Sequence, residues 1–266
     1  MTDTDTDLRR GSRALTDRTV LVTGAGRGLG AAIAHAFLAA GARVVLDYRS
    51  SRLGAEAIAA EAGPGCAVAL QADVTDAAAV RRLVHEGGEH FGRPVDTLVC
   101  NALASYAFNG DARAKAHEIG WDDFRRQLEG SVLGALTCIQ AVLPGMRTAG
   151  DGRIVTVGTN LFQNPVVPYH DYTAAKAALL SLTRTFAADL GPDGITVNMA
   201  SGGLLRTTDA SAATPAAVFD LIAASTPLRR VVTPAEFADA VLFFASPWAR
   251  AVTGQNLVVD GGLVKD

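Results

Sequence analysis

Tyr172 and Lys176 stand four residues apart in a helix-forming stretch. Four residues make about one helical turn, so the two side chains share a helix face. The pairing suits proton transfer. A phenol titrates near pH ~10 in water, too high for ready exchange at neutral pH unless a nearby cation stabilises the phenolate. Lys176 is placed to be that cation. Lys occurs only at positions 115, 176 and 265, against 21 Arg, so this chain carries positive charge almost entirely as guanidinium. At position 176 it uses an ammonium, whose pKa moves with its surroundings and which can hold a hydroxyl on a flexible stem. A third group lies upstream. Thr159 follows the apolar run Ile154–Val157, which reads as a buried strand. Ligands of open α/β sheets gather beyond the carboxyl ends of strands, so Thr159 is expected to meet Tyr172 across a cleft.

These groups need a frame. The chain has 266 residues, 49% hydrophobic content and a net charge of −3, which describes a globular chain able to bury one large core. No basic footprint for nucleic acid is present. An uninterrupted apolar run of about 18 residues and an apolar leader segment are both lacking, so no membrane association is expected. Cys66, Cys100 and Cys138 have no metal-ligand spacing and cannot all pair, which fits a reducing, cytoplasmic setting. Residues 1 to about 17 are polar, with a Thr-Asp repeat, and read as a mobile tail. No linker or repeat divides residues 18–266, which are expected to form one domain.

The order of elements supplies the frame. Thr19–Thr23 is a short β-branched run, followed at once by Gly24, Gly26, Gly28 and Gly30 and then by Ala- and Leu-rich helix to Ala40. Strand, glycine loop and helix form the dinucleotide-binding context. Glycines admit close approach of a pyrophosphate, and the helix N-terminus offers it free N–H groups. Further strands are read at Arg43–Tyr48, Ala67–Gln71, Val95–Cys100, Ile154–Val157, Ile195–Met199 and within 253–262. Helices alternate with them, notably from Trp121 through Val142, at Tyr172–Leu190 and at Pro234–Ala245. The expectation is an α/β, Rossmann-type doubly wound parallel sheet of about seven strands with helices on both faces. Residues 208–225, with Val218, Phe219, Leu221 and Ile222 as an apolar side, read as a helical substrate lid.

The glycine spacing after Thr23, with Asn101 and Ala102 and with Thr159, Tyr172 and Lys176, resembles the short-chain dehydrogenase/reductase family from Thr19 to Gly262. Within it, Thr226–Arg230, Thr253–Gln255 and Asp260–Gly262 look most like the 3-oxoacyl-[acyl-carrier-protein] reductases. The resemblance implies reduction of a ketone, with Tyr172 as proton donor, Thr159 on the carbonyl oxygen and Lys176 on phenolate and ribose. It places the cofactor on Gly24, Arg27, Gly28, Leu29 and Gly30, its adenine on Asp73 and Val74, and its remaining length along Asn101, Ala102, Gly203, Leu205 and Thr207, while Asp73 equally suits a cap for the helix starting near Asp76. The family's acidic residue, which selects NAD by holding the ribose 2′-hydroxyl, falls on Tyr48, and Arg49 and Ser50 follow. Asp47 falls one residue short and, by strand alternation, is expected on the other face. Arg49, Ser50 and Arg27 then favour the 2′-phosphate of NADPH/NADP+.

Ser131 aligns with an Asn that holds a relay water in the family, which implies an altered proton relay. Leu103 in place of Gly and Gly202 in place of Pro point to a specialised relative. His170 is read as a substrate-lining group. The expected partner is a small-molecule carbonyl compound, free or thioester-linked, and the expected assembly is a homotetramer, with a dimer next. Alternative readings are a reductase of a cyclic ketone or imine, an alcohol dehydrogenase working in reverse, and a non-catalytic NADP-binding regulatory protein.

Overall fold

Short runs of Val, Leu and Ile form seven strands, β1 (Thr19–Val22), β2 (Arg43–Tyr48), β3 (Ala67–Gln71), β4 (Thr97–Cys100), β5 (Gly152–Thr159), β6 (Ile195–Gly202) and β7 (Asn256–Val259). They belong to a computed structural model that describes residues 15–104, 106, 108–206, 208, 211, 212 and 214–265. Every strand pairing is parallel, in the order β3-β2-β1-β4-β5-β6-β7. The helices are α1 (Gly28–Ala39), α2 (Arg52–Ala62), α3 (Ala77–Phe91), α4 (Trp121–Leu128), α5 (Gly134–Ala149), α6 (His170–Leu190), α7 (Ala216–Ser225) and α8 (Pro234–Ala245).

Strand alternation splits the core into two layers. Val20, Val22, Val44 and Leu46 face Ile33 and Phe37 of α1, Ile58 of α2 and Phe237 and Phe244 of α8. Leu21, Val45 and Leu98 face the other way, onto Leu83 of α3, Ile139 and Val142 of α5 and Leu179 of α6. Coverage on both faces is why the strands read as nearly unbroken apolar runs rather than alternating ones. This is the α/β Rossmann-like architecture the sequence predicts. Chain order reverses between β1 and β4, which opens a crevice at the carboxyl ends of the strands.

Four details depart from the sequence reading. Residues 15–17 are not a loose tail, because Leu15 is buried in the first core layer and Arg18 reaches Asp96 and Asp151. An apolar side chain just ahead of the first strand anchors the chain there. Of residues 208–225, expected to be a helical lid, the described ones are helical only over α7, since Pro215 occupies its N-cap with φ −60° and residues 208, 211, 212 and 214 lie outside any helix. Between α4 and α5 a π-helical turn, Glu129–Leu133, adds a residue that the apolar spacing does not reveal. The whole rod Trp121–Ala149 is long and apolar enough to cross a membrane by length and composition, although no uninterrupted apolar run of that length exists. Its Ala135, Cys138, Ile139, Val142 and Met146 pack on the sheet, as in a core helix.

Candidate active site

The glycine loop between β1 and α1 is fixed from three sides. Thr23 Oγ1 donates to Val99 O (3.2 Å) and accepts the amides of Asn101 and Ala102 (both 2.9 Å). Asn101 Nδ2 donates back to Thr23 O (2.9 Å). Asp47 Oδ2 accepts the Gly24 amide (3.1 Å), and the Ala25 amide donates to Asp47 O (2.7 Å). Gly24 and Gly28 have φ of +64° and +55°, in the left-handed region that side chains disfavour. At Gly30 a Cβ would stand 2.2 Å from Gly24 O, so only glycine lets α1 begin this close to the loop. The first turn of α1 carries no acidic residue and opens on the cleft.

The end of β2 corrects the sequence reading. Tyr48 is buried in the core and does not line the cleft, whereas Asp47 does. Alternation holds, but with the faces exchanged. Asp47 is only 1% exposed, and its Oδ1 has no hydrogen-bond partner among the described residues. Burial pushes its carboxyl up to about 7, against the hydrogen bond from Gly24. Arg49 and Ser50 stand exposed at the cleft mouth, Arg49 3.7 Å from Asp73. Asp73 accepts from the amide (2.9 Å) and the hydroxyl (2.7 Å) of Thr75, which hold its carboxyl below the usual range. The cap of α3 is Asp76, which accepts from Ala78 and Ala79, so Asp73 is left to the cleft.

Thr159 ends β5, and Tyr172 and Lys176 follow one turn apart on α6, all three buried. The Thr159 side chain stands beside Tyr172 and favours its phenolate, while Thr159 Oγ1 accepts the Leu161 amide (3.3 Å). Lys176 Nζ donates to Val157 O (2.7 Å) and lies 5.9 Å from the centroid of the Tyr172 ring. Burial pushes the Tyr172 phenol up to about 12, opposed by Thr159, and pushes Lys176 down to about 8. The expected lowering of the phenol by Lys176 is not seen: burial dominates, and Thr159 is the opposing influence. The phenol is therefore protonated at neutral pH, as a proton donor must be, and gives up its proton only where the phenolate is stabilised.

The cleft joining these groups has a volume of about 1390 Å³. That exceeds the roughly 300–1,000 Å³ of a pocket for one drug-sized ligand, and leaves room for two. Gly24, Arg27, Gly28, Leu29, Gly30, Val74, Asn101, Ala102, Gly203 and Leu205 also line it, as does Leu103, 36% exposed. Thr207 lies outside the described residues. His170 begins α6 and does not line the cleft. Neither does Ser131, which is buried in the π-helical turn and whose Oγ has no hydrogen-bond partner among the described residues.

A family model described as "Enoyl-(Acyl carrier protein) reductase" matches residues 24–264. The chain belongs to the short-chain dehydrogenase/reductase family. This is a family of oxidoreductases that bind a nicotinamide cofactor. The chain is 34% identical over 256 residues to a 3-oxoacyl-[acyl-carrier-protein] reductase of Synechocystis sp., covering 94% of this chain and 98% of the relative. Solved short-chain dehydrogenase/reductase structures superpose closely. A Brucella melitensis 3-oxoacyl-[acyl-carrier protein] reductase with bound NAD is 33% identical, with TM-score 0.83 and coverage of 97% and 96%. A Burkholderia cenocepacia gluconate 5-dehydrogenase in complex with NADP and tartrate is 30% identical, with TM-score 0.83 and coverage of 95% and 97%.

Two further groups complete the site of this short-chain dehydrogenase/reductase. Asp260 accepts the amides of Gly262, Leu263 and Val264 (each 3.0 Å) and Asn160 Nδ2 (2.9 Å), holding the C-terminal segment against the cleft. At Gly203 a Cβ would fall 2.9 Å from that Asn160 nitrogen. The second group is a cluster of rings, Tyr106, Phe108 and Tyr169, gathered on Tyr172.

Proposed function

We propose that the protein is an NADPH-dependent reductase that converts a ketone, a 3-oxoacyl thioester or a related carbonyl compound, to an alcohol. The observation that carries this reading is the buried group of Thr159, Tyr172 and Lys176, which faces the same cleft as the glycine loop. The cofactor supplies the hydride when bound. Its fit rests on the glycine cradle, where Gly28 lines the cleft and a Cβ on it would have, among the described residues, only Thr208 near it, at 4.0 Å. Tyr172 donates its proton to the carbonyl oxygen while Thr159 hydrogen-bonds that oxygen. Lys176 stabilises the phenolate left behind and holds the ribose hydroxyls. Proton transfer by a positioned group contributes about 10² to 10⁴-fold, and positioning much of the rest. Ser211 supports a lid over residues 208–225, because its Oγ donates to Leu205 O (2.8 Å) and accepts the Thr208 amide (2.8 Å).

The choice of NADPH rests on the end of β2. Asp47 is buried beneath the loop with one oxygen committed to Gly24, while the exposed groups there are Arg49 and Ser50. Arg49→Ala is expected to raise KM for NADPH roughly tenfold, a discounted value for an exposed charge, and to leave NADH unaffected. Steady-state assays with both cofactors test this, and a wild-type preference for NADH would overturn it.

The pH dependence has a definite sign. Lys176 is charged below its pKa of about 8, and the phenol stays protonated until about 12. With saturating NADPH, kcat is expected to be level from about pH 6 to 7.5 and to fall toward tenfold per unit well above pH 8. A kcat rising through that range would mean that the amine of Lys176 is the active form.

The exposed apolar side chains Trp121, Leu133, Trp248 and Leu257 support a homo-oligomer, read as a tetramer, for which light scattering is the test. The free thiols of Cys66, Cys100 and Cys138 fit a cytoplasmic setting.

A further inference from the structure

The wall of the cleft beside Tyr172 is aromatic. Three of the chain's four tyrosines meet there, and the fourth, Tyr48, is in the core. Tyr106 stacks on Tyr172 with ring centroids 5.4 Å apart and planes at 26°. Phe108 sets its ring edgewise to Tyr172 (5.1 Å, 84°), and Tyr169 stands edgewise to Phe108 (5.5 Å, 88°). These are the offset and T-shaped arrangements that aromatic quadrupoles favour.

The rings are also held. Tyr106 Oη donates to Asp171 Oδ1 (2.8 Å), and Tyr169 Oη accepts the Gly110 amide (2.8 Å). Arg113 Nε donates to Pro168 O (3.1 Å), fastening the loop that carries Phe108 to the segment ahead of α6. Both phenol hydroxyls of the wall are thus engaged by protein. Apart from the Tyr169 O–H, what the wall offers a substrate is ring face and ring edge. Val166, Val218 and Ile222 complete an apolar lining.

A flexible acyl chain loses rotational freedom when it is ordered against such a wall and gains only contact area. A rigid ring gains the same area without that loss, and an aromatic ring adds stacking. We propose that the physiological substrate is a ketone carried on a flat, aromatic-fused ring system, held with its ring against Tyr106 and Phe108. This deepens the reductase reading and rests on it.

The test compares 2-tetralone, its saturated counterpart 2-decalone and the N-acetylcysteamine thioester of acetoacetate, each with NADPH and with NADH. The expected order of kcat/KM places 2-tetralone ahead of both others by at least about tenfold. In Tyr106→Leu and Phe108→Leu the tetralone-to-decalone ratio should fall at least about fivefold, and a general loss of activity does not move that ratio. A thioester preference, or a ratio unchanged in both variants, would overturn the proposal. A binding arm stands apart from turnover: with NADP+ present, calorimetry should show 2-naphthol binding more tightly than 2-decalol, and the difference should shrink in Phe108→Leu. Equal affinities would overturn the aromatic wall. No reduction of any carbonyl compound would instead sink the reductase reading, and the binding arm would still decide the wall.

Discussion

Tyr172→Phe is expected to lower kcat by about 10² to 10⁴-fold while leaving the dissociation constant for NADPH within about twofold of wild type. The substitution removes one oxygen and keeps the ring. Contacts with Tyr106 and Phe108 involve ring faces and edges, so the packing around position 172 survives. The favourable influence of the Thr159 side chain on the hydroxyl is lost, at a cost of about 1 kcal/mol. A loss of that size leaves a domain folded, since it is a small part of the roughly 5–15 kcal/mol that holds one together. Lys176 keeps its own anchor, because Nζ is held by Val157 O rather than by the phenol. Ribose binding should therefore be spared. Kinetics and cofactor binding have to be measured on the same preparation, the second by quenching of protein fluorescence. A variant retaining more than about a tenth of the wild-type rate would mean that the proton comes from elsewhere. A variant that also lost NADPH would show that the hydroxyl serves binding instead.

The same residues show how much could be read from the sequence. The glycine loop and the Tyr172, Lys176 and Thr159 set were legible because each depends on short spacing: a tight turn, one helical turn, and the end of an apolar strand. The sheet was legible because parallel strands covered on both faces are apolar throughout. What failed was register. At the end of β2 one residue separates the core from the cleft, and Tyr48 and Asp47 occupy the faces assigned to each other. A one-residue ambiguity exchanges every side chain in a strand, and no local pattern resolves it where both faces are buried. The π-helical turn at Ser131 was hidden for a similar reason, because its extra residue sits inside a rod whose apolar spacing seemed continuous. The pKa of Tyr172 needed burial as well as neighbours, and burial proved the larger influence. The aromatic wall joins residues 106 and 108 to 169 and 172, a meeting made by tertiary structure alone.

Gly30→Ala is expected to weaken NADPH binding by about a hundredfold or more, a large effect for a single methyl group. The added Cβ would lie 2.2 Å from Gly24 O, 2.6 Å from Asn101 Nδ2 and 2.9 Å from Gly24 C. Two of those atoms are backbone, so a change of rotamer cannot relieve the clash. Retreat is also blocked. The Gly24 amide is held by Asp47, the Ala25 amide donates to Asp47 O, and Asn101 is tied to Thr23. Either α1 moves away from β1 or the loop shifts by about an ångström, and a misplacement of that size is enough to cost about 10²-fold. Overpacking of this kind costs about 1–3 kcal/mol, so the variant should still fold with a lower melting temperature. Gly65→Ala provides the control. Its Cβ would meet nothing within 4 Å and its φ is not positive, so stability should stay within about 0.5 kcal/mol and NADPH binding should be unchanged. Calorimetric titration with NADPH and a thermal melt distinguish the outcomes. If Gly30→Ala were destabilised yet bound NADPH as tightly as wild type, Gly30 would be a helix–strand packing residue only, and the cofactor would have to enter the cleft by another route than the glycine loop.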